Sequence, residues 1–219
     1  MRWSRWGWYA MTVLALLVAA YAFVVSFVPD WRPPLVRELF AQRPLAAWGH
    51  FLGGGTALAT GAFQLHTRLR NRWLGLHRWL GRTYVLAVAA GGLAALALAP
   101  HATTGGVAAT GFALLGLAWL ATTALAVIAI RQRRLAAHRD WMVRSYALTL
   151  AAVTLRIYLP ASQFAGISFT IAYPVIAWLC WVPNLLLAQA FLRSRRAREL
   201  LAASAIPPRW RQERMRSPA

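Results

Sequence analysis

The 219-residue chain is 59% hydrophobic and 13% charged, where soluble domains run at roughly 45–50% apolar and about 25% charged, so an ordinary soluble domain is excluded. The net charge of +19 is carried by arginine without a single lysine. These arginines cluster at the ends of apolar runs rather than on one soluble face, which excludes a nucleic-acid partner and points to the charge asymmetry of a membrane protein. Apolar runs of about 20 residues, enough to cross a hydrocarbon core of roughly 30 Å, recur along the chain.

The first run extends from about Trp6 to Val28 behind a short basic start. It is longer than the roughly 7–15 apolar residues of a signal peptide and ends at Val28-Pro29 rather than at a small-residue cleavage site, so it reads as an uncleaved span. A proline-containing loop, Asp30 to Pro44, leads to a second span from about Leu45 to His66. On that span Gly49, Gly53, Thr56 and Thr60 share one face, and small residues at this spacing let helices approach closely in lipid, which places the span at the centre of a bundle. A basic loop, Thr67 to Arg82, precedes the third span at about Thr83 to Ala99, and the turn beginning at Pro100 leads to the fourth, Val107 to Ile130. A second basic loop, Arg131 to Arg144, precedes the fifth span at about Ser145 to Leu159. The sixth runs from about Ile167 to Phe191, with kinks expected at Pro174 and Pro183 and with Asn184 re-satisfying freed backbone.

The expected fold is therefore an all-α, polytopic six-helix membrane bundle over residues 1–192, followed by an arginine-rich tail over 193–219 that is partly disordered. Within it one pattern occurs twice. His77-Arg78-Trp79-Leu80-Gly81-Arg82-Thr83-Tyr84 returns as His138-Arg139-Asp140-Trp141-Met142-Val143-Arg144-Ser145-Tyr146 with one residue inserted. Pro100 is matched by Pro160, where each apolar run is expected to end, and Ala118-Trp119-Leu120 by Ala177-Trp178-Leu179. Landmarks recurring at one offset signal a duplicated helical hairpin, spans three and four against five and six. Six spans put both termini, both five-arginine loops and the tail on one side, expected to be the cytoplasmic face of a bacterial inner membrane, with anionic lipid headgroups meeting the arginines.

The two His-Arg motifs, followed by Val153-Thr154-Leu155-Arg156 and Trp178-Leu179-Cys180-Trp181-Val182-Pro183-Asn184, resemble the bacterial family of predicted membrane proteins called domain of unknown function 2306. The resemblance covers roughly His50 to Gln189 and implies a multi-span membrane protein without an assigned activity.

Chemistry is sparser than architecture. The acidic residues Asp30, Glu38, Asp140, Glu199 and Glu213 all lie outside the expected spans, which disfavours a transporter driven through buried carboxylates. No phosphate loop, zinc-spaced Cys/His set or nucleophile elbow occurs, and the single Cys180 excludes a thiol pair. Arg156 falls about 6 Å inside the end of the fifth span at 1.5 Å per residue. It shares a helical face with Ser145, Thr149 and Ala152, while His50 sits at similar depth on the second span. An intramembrane polar site of His50, Arg156, Thr149 and Gln64 follows, suited to a small-molecule transporter or a partner subunit; the competing reading has Arg156 snorkelling to nearby headgroups. The alternative function is electron transfer by a b-type haem held between His77 and His138, with Arg78, Arg82, Arg139 or Arg144 on its propionates. His50 and His101 form a possible outer pair, and the bland reading of the inner histidines is interfacial capping among tryptophans and tyrosines. Substrate, partner and oligomeric state are not legible.

Overall fold

Long apolar runs with no water to satisfy their peptide groups close every backbone bond internally, and this chain does so throughout as helix. The computed structural model describes residues 5–64 and 67–204. Helices α1 (Arg5–Phe27), α2 (Pro34–Gln42), α3 (Pro44–Gln64), α4 (Thr67–Arg72), α5 (Leu74–Leu98) and α6 (Gly106–Arg131) precede α7 (Leu135–Thr149), α8 (Ala151–Phe164), α9 (Phe169–Leu179) and α10 (Val182–Ser204), with no strand among the described residues. The expected end of the second span at His66 and the tail beyond Ser204 lie outside the described residues.

Among the described residues, five segments are long and apolar enough to cross a membrane: Trp6–Phe27, Leu74–His101, Gly106–Arg131, Leu135–Phe164 and Phe169–Glu199. Two of these are broken helices, α7 with α8 and α9 with α10. The second expected span appears as the 21-residue α3 but is not among the five. Its glycines, its two threonines and His50 lower its mean hydropathy. What α3 lacks in apolarity it makes up in contact, because it lies between α1 and α5 and also touches α2, α4 and α7. The small residues make this possible. A methyl group added at Gly53 would come within 2.6 Å of the Gly91 backbone nitrogen, one at Gly49 within 3.1 Å of the Ala94 side chain, and one at Gly55 within 3.2 Å of Ala22 on α1. Burial of both flanks of α3 fits the central placement read from its small-residue face.

Three boundaries differ from the sequence expectation. Both His-Arg motifs are helical rather than looped, since α5 starts at Leu74 and α7 at Leu135. Nothing between Gly75 and Tyr84, or between Leu135 and Tyr146, forces a break, and membrane-surface arginines solvate themselves from within a helix. Pro160 does not end its run, because α8 continues to Phe164 with the proline inside it; the helix closes instead at Gly166, whose φ of 72° suits a residue without a side chain. The expected kink at Pro183 is present as the break between α9 and α10, and Pro174 lies inside α9. Asn184 does what was expected of it: its Nδ2 donates to the carbonyl of Cys180 at 3.0 Å in the turn that Pro183 opens. The same amide reaches Thr154 Oγ1 at 2.9 Å and the Ala147 carbonyl at 3.4 Å, so it joins this break to the one between α7 and α8.

Candidate functional site

The helices line a cavity of about 370 Å³ whose wall includes Leu39 of α2, His50 of α3, His101 of the turn after α5, Trp119 of α6, Thr149 of α7, and Arg156 of α8. It extends from the end of the bundle that carries α2 toward the break between α7 and α8. Thr149, Ala152 and Arg156, three members of the face read from the sequence, all contribute to the wall. Most of the remaining wall is aliphatic or aromatic, for example Leu115, Phe112 and Tyr173.

Arg156 is the only arginine on that wall. Its Nη1 donates to the Ala152 carbonyl one turn back at 3.0 Å, and its guanidinium lies 4.9 Å from the centre of the Tyr21 ring. Its Nε is buried with no hydrogen-bond partner. The ion pairs among the described residues join Asp140 and Glu199 to Arg195 and Arg196, so none reaches Arg156. A cation so placed is costly unless something else compensates it. His50 lies on the same wall, with Nδ1 3.5 Å from the Gly91 carbonyl and its ring edge-on to Phe51. His101 is on the wall too, and Arg43 donates to its Nδ1 at 3.3 Å.

Below the cavity the bundle is tied by hydroxyls. The Tyr84 hydroxyl is 2.7 Å from Ser145 Oγ and 2.8 Å from Thr149 Oγ1; Trp119 Nε1 donates to Thr149 Oγ1 at 2.9 Å; Thr123 Oγ1 is 2.7 Å from Ser145 Oγ. The protons can be placed so that each group donates once: Thr123 donates to the Trp119 carbonyl at 2.8 Å, Ser145 to Thr123, Thr149 to the Ser145 carbonyl at 3.0 Å, Trp119 to Thr149, and Tyr84 to Ser145 or Thr149. Each buried hydroxyl is then satisfied, as a low-dielectric interior requires. Sequence reasoning found Ser145 and Thr149 from their shared face but missed Tyr84, Trp119 and Thr123. The repeat landmarks were the available signal. The two matched tyrosines converge on Gly61, where an added methyl would sit 2.8 Å from the Tyr84 ring and closer still to that of Tyr146.

The other expected site residues fall elsewhere. Gln64 does not join the cavity: it lies 14 residues along α3 from His50, about 21 Å at 1.5 Å per residue, and its Nε2 donates to the His77 carbonyl at 3.0 Å. The helical spacing used to group it with His50 fixes direction around a helix and ignores distance along it. His138 holds its Nδ1 2.9 Å from the Ala126 carbonyl of α6. Because the motifs are helical, the inserted Asp140 turns His138 by about 100° relative to His77, and no loop absorbs the extra residue. Arg78, Arg82 and Arg139 are exposed. Arg144 is half-buried, donates to Gln189 Oε1 from Nε at 3.1 Å and Nη2 at 2.8 Å, and lies over Trp141. Asp140 is buried and ion-paired to Arg195 at 3.2 Å and to Arg196 at 2.6 Å. The residue that breaks the repeat thus ties α7 to the arginine-rich end of α10.

Helices of membrane-spanning length, glycine-mediated close packing and an interior closed by satisfied hydroxyls define a polytopic helical membrane protein. Residues 47–192 match the family described as predicted membrane protein, domain of unknown function 2306, and the chain belongs to that family. No curated protein and no solved structure matches the chain.

Proposed function

We propose that this membrane protein binds a small molecule in the cavity walled by His50, Thr149 and Arg156, and that it works as a small-molecule transporter or as the ligand-carrying subunit of a larger membrane assembly. The observation that carries the reading is Arg156, a half-buried arginine with a buried, unpartnered Nε and no carboxylate partner among the described residues, on a cavity within the roughly 300–1,000 Å³ range of ligand sites. The two broken helices beside the cavity support it, since discontinuous helices accompany binding sites near the membrane midplane in transporters. In this reading α3 is a sixth span, about 31 Å long at 1.5 Å per residue, and the termini and arginine-rich ends are cytoplasmic.

Filling the cavity tests the reading. Leu115→Trp should leave the melting temperature of the purified protein within a few degrees of wild type. Native mass spectrometry from lipid nanodiscs should show a small molecule on wild type that is missing from this variant. If wild type releases nothing but bulk lipid, and the variant differs in nothing, the cavity is not a ligand site.

A further inference from the structure

We infer that the ligand is a singly charged organic anion with one apolar chain, its head on Arg156 and its chain along the aliphatic wall; the inference rests on the binding reading above. Three observations lead there. Among the described residues the one permanent charge on the wall is positive: Arg156 is its only arginine, and no aspartate or glutamate lines it. A dication or zwitterion would bring a cationic group for which the wall offers no anionic partner, and a multiply charged anion would exceed the one compensating cation. Second, the guanidinium is only partly used. Nη1 is bound to Ala152 and Nε has no partner, so donors of the planar fork remain for a carboxylate-like or phosphate-like head, which Arg recognises in bidentate fashion.

Third, the volume suits one chain. About 370 Å³ lies near the lower end of the roughly 300–1,000 Å³ of small-ligand sites, a size that fits one medium-length alkyl chain better than the two long tails of a bilayer lipid. The surfaces around it, Leu39, Phe112, Leu115 and Leu159 among them, are apolar and supply no hydrogen bonds along the chain. Such an anion comes either from a free amphiphilic acid or from a single-tailed phospholipid breakdown product, and both present the same head-and-chain chemistry.

The test uses full-length protein in neutral-lipid nanodiscs, with binding read by native mass spectrometry and by thermal shift. Decanoate, decanol and decylamine are compared as chains of equal length, and a single-tailed lysophosphatidylglycerol, whose phosphodiester carries one negative charge, serves as the phosphate-headed probe. Decanoate should bind at least tenfold more tightly than decanol, and decylamine should not bind. Arg156→Leu should bring decanoate down to the level of decanol, while Arg156→Lys keeps part of the difference. A preference for the lysolipid over decanoate assigns the lipid source, and the reverse assigns the free acid. If decanol and decanoate bind equally and Arg156→Leu changes neither, the anionic assignment is overturned while the cavity remains a binding site. If no chain binds, both the ligand class and the binding reading fall.

Discussion

At Gly61 the fold depends on a missing methyl group. The tyrosines that head the two copies of the repeat, Tyr84 and Tyr146, both lie against this glycine on α3, and both are almost fully buried. Tyr146 donates its hydroxyl to the Leu58 carbonyl at 3.3 Å, while Tyr84 enters the hydroxyl cluster. Neither ring can retreat without breaking those bonds. Gly61→Ala should therefore destabilise the protein by about 1–3 kcal/mol, the usual cost of overpacking, whereas Ala at Gly54, where an added methyl meets nothing within 4 Å, should be tolerated. Thermal melts of the two variants in one detergent check this, and equal melting temperatures would refute it.

At the scale of elements, the last two membrane-length segments are each broken, and both breaks are stitched by Asn184. The sequence allowed the break at Pro183 to be read, because proline has a local cause. It did not allow the break near Leu150, which has no proline or glycine beside it. The clasp between α7 and α10 was hidden for a similar reason. Asp140 read as a charge outside the spans, and only the fold brings it within 2.6 Å of Arg196. This pair leaves a testable mark. Asp140→Leu should free the last turns of α10, and limited trypsin digestion should then cut at Arg195 and Arg196 several-fold faster than in wild type, with the melting temperature of the membrane core little changed. Unaltered cleavage would mean that the end of α10 is held by something other than Asp140.

For the whole molecule, membrane character, helical class and the central position of α3 were legible because they follow from composition and from glycine spacing. Much of the candidate site was legible too: Thr149, Ala152 and Arg156 lie on one cavity wall, as their shared face suggested, and His50 joins them. Gln64 was misplaced by reading a helix as a wheel without length. The pairing of Tyr84 and Trp119 with Thr149 was missed because it joins three helices distant in sequence. Topology gives the global prediction. If all six helices cross, a reporter active only in the cytoplasm should be active after Arg131 and after Ser204 and silent within the Pro29–Trp31 turn; activity on both sides of α3 would leave that helix outside the bilayer.

The modest apolarity of α3 also bears on how the chain enters the membrane during synthesis. A segment that the insertion machinery accepts on its own must be apolar enough to prefer lipid to water before any neighbour exists. α3 follows α1 and α2 in the chain, and its tightest partner, the α5 surface around Gly91, emerges some thirty residues later. If α3 crosses the bilayer, its residence there is a product of assembly rather than a precondition for it: it would enter together with α5, as a pair whose glycine-lined contact hides what neither lipid nor water would accommodate alone.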